Sequence, residues 1–168
     1  MSNPILMIVV TTTLLLAADG EIADFRVKDL NNHTVAYSEL KGARLTIIDF
    51  WATWCKPCTR SIPKLQALHE KYEGRGVQFI GINVDGTRSL SKVKPMSKSL
   101  GITYPVLLDV NHEVMKQLKV TAMPSVLVID QKDKVIAFHQ GYRPGDEEVL
   151  EQEIIAQLEK DTAVDEKN

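Results

Sequence analysis

Two cysteines, Cys55 and Cys58, occur three positions apart in the segment DFWATWCKPCT (residues 49–59), and the chain contains no others. A disulfide between such close neighbours cannot join distant parts of a chain, so reactivity explains the pair better than structural reinforcement does. Two thiols at this spacing can close into a disulfide and open again, which exchanges two electrons with the thiols or disulfides of another molecule.

The segments on either side of the cysteines predict a strand followed by a helix. The apolar run RLTIIDFW (residues 44–51) is rich in β-branched and aromatic residues and is typical of a strand buried on both faces. After the cysteines, side chains that can pack in a core recur at helical spacing, at Ile62, Leu65, Leu68, His69 and Tyr72. We expect Pro63 to kink this helix and Gly74 to end it.

This arrangement assigns different roles to the two cysteines. Cys55 lies at the predicted helix N-terminus, where unpaired N–H groups and the helix dipole favour a thiolate, the nucleophilic form. We therefore expect Cys55 to form the mixed disulfide with a partner, and Cys58, one turn further along, to resolve it. Between them, Lys56 adds a cation that favours the thiolate, and Pro57 stiffens the bridge without removing a needed N–H.

Asp49 is the third candidate catalytic residue. It lies six residues before Cys55 within the apolar run, where burial would raise the pKa of its carboxyl group. A carboxyl that is neutral or half-titrated could relay a proton to or from Cys58 during resolution. The alternative is an aspartate at a strand end that points into water.

Other uses of a Cys-X-X-Cys pair fit the sequence less well. A structural zinc site needs two further ligands, but the four histidines (residues 33, 69, 112 and 139) are scattered along the chain. Covalent haem attachment needs a histidine directly after the second cysteine, where this chain has Thr59. We therefore expect neither a metal ion nor an organic cofactor.

The chain as a whole predicts one α/β domain. It has 168 residues, 44% of them hydrophobic, and a net charge of −2 that gives no basis for nucleic-acid binding. A hairpin, then alternating strands and helices, a closing hairpin and a last helix from about Asp146 to Lys160 predict a central mixed β-sheet flanked by helices. We expect a monomer with its domain at residues 19–160 and a disordered tail at residues 161–168.

The N-terminus carries an uncharged stretch, ILMIVVTTTLLLAA (residues 5–18), that ends sharply at Asp19. This stretch is shorter than the roughly 20 apolar residues of a membrane-spanning helix, and its final alanines suit cleavage after Ala18. The preceding MSNP lacks the Lys or Arg of an ordinary signal peptide, which leaves an uncleaved anchor or a buried strand as alternatives. We expect residues 1–18 to be a signal peptide or membrane anchor, and the protein to be periplasmic or otherwise extracytoplasmic.

The segment DFWATWCKPC resembles the active-site segment of thioredoxins. Over residues 22–160 the chain resembles the TlpA/ResA-like branch of thiol–disulfide oxidoreductases. Besides Pro63, the motifs that carry this resemblance are FWATWCKPC (residues 50–58), GINVDG (81–86), YPVLLD (104–109), VTAMPSVLVID (120–130) and GYRPGDEE (141–148). The resemblance implies a thioredoxin-like fold with an N-terminal β-hairpin and an extra helix-and-strand insert matching residues 86–104.

The resemblance also implies a set of substrate-binding residues. Pro124 would be a cis-proline that faces the cysteine pair and presents the backbone of Met123 to substrate, although a proline at a strand start is the commoner explanation for any single proline. Trp54, Lys56 and Pro57 complete this set.

Three positions depart from relatives of this kind. Ser61 stands where many members of the branch have glutamate, and Asp49 stands where many have asparagine. Gly81 stands where thioredoxin has a lysine that partners the buried aspartate.

Taken together, the residues and the resemblance imply exchange of a Cys55–Cys58 dithiol with the thiols and disulfides of protein substrates. We expect the reducing direction, with a membrane thiol donor and apocytochrome c as candidate partners. One alternative is a redox-regulated module that binds peptides through Pro124 and the two tryptophans. The other is a thioredoxin-fold peroxidase, although Ala52 stands where a peroxidatic cysteine would have threonine three residues before it.

Overall fold

The computed structural model describes residues 21–165, which form a seven-stranded sheet with helices packed around it. The strands are β1 (Arg26–Asp29), β2 (Thr34–Ala36), β3 (Leu45–Trp51), β4 (Val77–Asn83), β5 (Val106–Leu108), β6 (Ser125–Asp130) and β7 (Val135–Gln140). The helices are α1 (Tyr37–Leu40), α2 (Lys56–Tyr72), α3 (Leu90–Ser99), α4 (Glu113–Gln117) and α5 (Asp146–Asp165). The predicted leader, residues 1–18, lies outside the described residues.

The sheet is mixed, as predicted, in the order β2-β1-β5-β4-β3-β6-β7. Strands β3, β4 and β5 are parallel neighbours, while β6 pairs with β3 antiparallel. The predicted hairpins are both present, as β1–β2 at one edge and β6–β7 at the other. The three parallel strands therefore end at the same edge of the sheet, where the active-site segment begins.

All seven residues of strand β3 are buried, which places this strand at the centre of the core. Ile48 and Phe50 belong to the hydrophobic cluster on one face, and Leu45 and Ile47 belong to the cluster on the other. An almost continuous apolar run is the sequence signature of such a strand, because neither of its faces meets water. Because β3 is held at the centre of the sheet, the position of the cysteine pair that follows it is well defined.

Helix α2 begins directly after Cys55, includes Cys58 and contains Pro63, so the predicted helix is present. It ends at Tyr72, close to the predicted stop at Gly74, and a short 3₁₀ turn (Glu73–Arg75) follows it directly. The residue that adopts the left-handed conformation is Gly76, with φ of 80°. Two glycines two residues apart give the same local signal, and the positive φ of Gly76 shows which one makes the turn. The Gly76 carbonyl also accepts hydrogen bonds from the backbone N–H groups of Arg44 and Leu45.

The insert predicted at residues 86–104 has a different boundary in the structure. Helix α3 lies within this range, but the strand, β5, begins at Val106. Pro105 explains the shift, because proline has no N–H for a strand ladder. Its carbonyl still accepts a hydrogen bond from the Gly81 N–H at 2.9 Å. A short helix, α1, also lies between β2 and β3.

Helix α5 continues past the predicted end at Lys160 to Asp165. The added residues, DTAVD, contain neither proline nor glycine, so nothing in them stops a helix. The predicted disordered tail is therefore helical at its start, and residues 166–168 lie outside the described part. Leu150, Ile154 and Leu158 of this helix are buried, while Val149 is 53% exposed.

Candidate active site

The cysteine pair forms a disulfide where strand β3 leads into helix α2. The Cα atoms of Cys55 and Cys58 are 5.3 Å apart and their sulfur atoms are bonded at 2.07 Å. Cys55 is the N-cap residue of α2, and its Sγ accepts a hydrogen bond from the Cys58 N–H at 3.2 Å. Cys55 retains 4% exposure and Cys58 none. This difference favours Cys55 as the sulfur that a partner reaches and Cys58 as the one that resolves.

The loop that carries Cys55 is held by a buried aspartate, Asp85, which follows strand β4. The Asp85 carboxylate accepts hydrogen bonds from the Thr53 backbone N–H and from the Thr53 hydroxyl, both at 2.7 Å. It also accepts one from the Asn83 amide at 2.8 Å. No role was predicted for Asp85 from the sequence. An aspartate two residues after a buried strand was the available signal, because parallel neighbours β3 and β4 end side by side.

A groove beside the disulfide contains three of the residues predicted to bind substrate. Pro57, Met123 and Pro124 line it together with Tyr142 and Arg143. The Met123–Pro124 peptide bond is cis, as the resemblance implied. The Pro124 carbonyl accepts a hydrogen bond from the Gly141 N–H at 2.8 Å, which joins the start of β6 to the end of β7. The geometry is compatible with substrate binding at this groove, and that role stays a prediction.

The other two predicted substrate-binding residues, Trp54 and Lys56, are not part of this groove. Trp54 is 63% exposed, unusually high for a tryptophan, and Lys56 is exposed as well. Trp54 lines a second groove with Lys92, Pro95 and Met96 of α3. The inserted helix therefore adds surface next to the active-site loop.

Asp49 is buried, with 1% exposure, so the alternative of a strand-end aspartate in water is wrong. It pairs with Gly81 of β4 on one side and Val126 of β6 on the other. Neither carboxylate oxygen has a hydrogen-bond partner among the described residues. Burial removes water from the charged form and raises the pKa of Asp49 to about 7. Asp49 can therefore take up or release a proton near neutral pH, and its catalytic role stays a prediction.

Helix α2 supplies no acid at the position where many relatives have one. Ser61 is buried, and its hydroxyl donates a hydrogen bond to the Cys58 carbonyl at 3.2 Å. Asp49, on strand β3, therefore stays the carboxyl group that is predicted to exchange a proton with Cys58. Within residues 21–160, no group of three or more His, Cys, Asp or Glu side chains is arranged to hold a metal ion. No helix among the described residues is both long and apolar enough to cross a membrane.

Comparisons with known proteins agree with this geometry. Residues 19–138 match the AhpC/TSA family. The thiol-disulfide oxidoreductase ResA of Geobacillus kaustophilus is 31% identical over 125 residues, which cover 74% of this chain and 70% of that protein. The ResA of Bacillus thuringiensis subsp. konkukian is 34% identical over 116 residues, which cover 69% of this chain and 65% of the relative. A crystal structure from Chlorobium tepidum, described as a thiol:disulfide interchange protein DsbE, superposes with a TM-score of 0.76 at 30% identity and covers 83% of this chain and 96% of that one.

A thioredoxin-like sheet with a Cys-X-X-Cys disulfide at a helix N-terminus defines the class of thiol–disulfide oxidoreductases. The match over residues 19–138 and the ResA relatives agree with that class. The chain therefore belongs to the AhpC/TSA family, in its TlpA/ResA-like thioredoxin-fold branch.

Proposed function

We propose that this protein reduces disulfides in protein substrates outside the cytoplasm, with Cys55 as the nucleophile and Cys58 as the resolving thiol. The observation that carries the proposal is the asymmetric pair at the N-terminus of α2, in which only Cys55 has exposed surface. Protein thiols and disulfides are the substrates that such a pair serves.

The exchange has two steps that balance in atoms and electrons. The Cys55 thiolate attacks one sulfur of a substrate disulfide, which forms a mixed disulfide and releases the first substrate thiolate. Cys58 then loses its proton to Asp49 and attacks the Cys55 sulfur, which closes the Cys55–Cys58 disulfide and releases the second substrate thiolate. Two electrons pass from the protein to the substrate.

The surroundings of Cys55 favour the reducing direction. A couple on this fold is strongly oxidising when its reduced, thiolate form is strongly stabilised. Here the described hydrogen bonds give the Cys55 sulfur one donor, the Cys58 N–H, and the bridging residues are Lys56 and Pro57, with no histidine. Asp49 ionises at about pH 7, and its negative charge then opposes a nearby thiolate. The thiolate is therefore only modestly stabilised.

We therefore expect a low reduction potential for the Cys55–Cys58 pair. Equilibration of residues 20–168 with a dithiothreitol redox buffer should give a value near about −250 mV or below, in the range of thioredoxin. The pair can be followed by the mass added when free thiols are alkylated. A value near about −120 mV, typical of a protein that installs disulfides, would contradict the reducing direction and leave the site assignment intact.

We further propose a membrane thiol donor as the source of electrons and apocytochrome c among the substrates. A dithiol that has closed to a disulfide needs a reductant before the next turnover, and an oxidising compartment supplies none in solution. The groove that contains Pro57, Met123 and Pro124 offers a place for an extended substrate segment beside the disulfide.

The extracytoplasmic location is supported by the uncharged stretch at residues 5–18. If this stretch is a cleaved signal peptide, the mature protein should begin at Asp19, because small residues precede that position. The cleavage can be checked by measuring the intact mass of the protein in a periplasmic extract from which membranes have been removed. Full-length protein in the membrane fraction would indicate an anchor, and full-length protein in the cytoplasm would contradict the location.

A further inference from the structure

The residue opposite Asp49 on strand β4 is Gly81, which leaves space at the buried carboxyl. Paired residues on neighbouring strands project from the same face of a sheet, so a side chain at position 81 would lie beside Asp49. A Cβ atom built at Gly81 would be 3.2 Å from Trp51 Nε1 and 3.2 Å from Tyr104 Cε2. Trp51 and Tyr104 therefore occupy the space that a β4 side chain would otherwise fill.

The polar atoms around this space are complementary. The indole N–H of Trp51 and the hydroxyl of Tyr104 are donors, and both side chains are buried, with exposures of 0% and 3%. The two carboxylate oxygens of Asp49 are acceptors. None of these atoms has a hydrogen-bond partner among the described residues. A buried polar group without a partner costs free energy. A hydrogen bond between one of these donors and the Asp49 carboxylate would therefore be favourable.

Tyr104 is held in place by aromatic packing. Its ring lies edge-on to His69 of α2, with centroids 5.5 Å apart, and 6.1 Å from the ring of Phe79 on β4. Burial raises the pKa of Tyr104, and the charge on Asp49 raises it further, so the hydroxyl remains a donor over the whole working range. On this side His69 of α2 is the titratable group that contacts the Tyr104 ring, whereas β4 and β6 place Gly81 and Val126 opposite Asp49.

We propose that Tyr104 is a positioning residue for thiol–disulfide exchange: when Asp49 ionises, the two side chains draw together beside Gly81, the Tyr104 hydroxyl donates a hydrogen bond to the Asp49 carboxylate, and the form that accepts the proton of Cys58 is stabilised. This inference rests on the proposed role of Asp49. A neutral donor stabilises the carboxylate without the full charge of a cation. Tyr104 lies far from the cysteines in sequence and acts through Asp49, so it need not touch the substrate.

The direct test is the titration of Asp49 in Tyr104→Phe, which removes the hydroxyl and keeps the ring. Protein labelled with ¹³C at the aspartate carboxyl groups allows the Asp49 midpoint to be followed by NMR in the oxidised full-length chain. The midpoint should rise by about one pH unit, because a hydrogen bond to the charged form is lost. Tyr72→Phe is the matched control, since the buried ring of Tyr72 is retained and its hydroxyl bonds to Glu151 instead. An Asp49 midpoint equal in wild type, Tyr104→Phe and Tyr72→Phe would overturn the proposal.

Two further measurements separate this proposal from folding defects and from the proposed function. Incorporation of 3-fluorotyrosine at position 104 keeps the ring and makes the hydroxyl a stronger donor, so the titration midpoint of Asp49 should fall. An unchanged midpoint would contradict the proposal. This measurement stays decisive even if Tyr104→Phe does not fold. In single-turnover kinetics, the pH midpoint of mixed-disulfide resolution should shift with the Asp49 midpoint in both proteins. A shifted Asp49 midpoint without a shifted kinetic midpoint would overturn the catalytic part. The NMR midpoint does not depend on turnover, so it stays informative if the substrate assignment fails.

Discussion

Replacement of Cys55 by serine should reduce the disulfide reductase activity to the uncatalysed rate. A serine hydroxyl neither ionises near neutral pH nor forms a disulfide, so the first step has no nucleophile. Replacement of Cys58 by serine should have a different effect, because Cys55 can still attack the substrate but nothing resolves the product. The Cys58→Ser protein should therefore accumulate mixed disulfides with its substrates. Insulin reduction with dithiothreitol and non-reducing gels would measure the two effects.

The matched control for these variants is Ser61→Ala, which alters a buried side chain of the same helix that contacts the Cys58 carbonyl. It should retain activity and form no trapped products. Reductase activity that survived Cys55→Ser would contradict the assignment of the nucleophile. Substrate binding that persisted with both cysteines replaced, with little turnover in the native protein, would instead support the redox-regulated binding module.

Asp49→Asn should change both stability and kinetics, in a way that depends on pH. The pKa of Asp49 is raised from 3.8 to about 7 in the fold because burial favours the neutral carboxyl. The stability that this shift contributes is fully present below pH 3.8 and is lost as the pH rises to about 7. Above that pH, the ionised buried carboxylate costs up to about 4 kcal/mol relative to the neutral form. Asp49→Asn has no carboxyl group to ionise, so its free energy of unfolding should not show this loss. The stability of the variant relative to wild type should therefore increase as the pH rises.

Urea unfolding of the oxidised proteins at a series of pH values would measure this difference. Asp24→Asn is a suitable control, because Asp24 lies at the surface and hydrogen bonding to Ser38 lowers its pKa. Any change that Asp24 makes in the free energy of unfolding therefore occurs at a lower pH than the titration of Asp49. In stopped-flow measurements, Asp49→Asn should slow mixed-disulfide resolution by about 100-fold at neutral pH. A difference in unfolding free energy that did not vary between pH 3.8 and about 7 would show that Asp49 is not the group that titrates there.

The chemistry of this protein could be predicted from local sequence. Cys55 and Cys58 lie within one turn, and the apolar run before them specifies a central strand through β-branched and aromatic residues alone. The strand-to-helix junction follows from these neighbours, and so does the position of Cys55 at a helix N-terminus. The burial of Asp49 could be predicted for the same reason, because every residue around it is apolar. The hairpins at both ends of the sheet also follow from short-range patterns.

The surroundings of the site were decided by the tertiary structure. Asp85 reaches Thr53, 32 positions away in sequence, because parallel strands β3 and β4 end together. Tyr104 reaches the space beside Gly81 because the chain returns through α3 before β5 joins the sheet. Strand register determines which side chains meet, and a shift of one residue would send them to opposite faces. Local sequence therefore determined the reactive cysteine pair and its place between a strand and a helix, while the register and connections of the strands determined which side chains surround the pair.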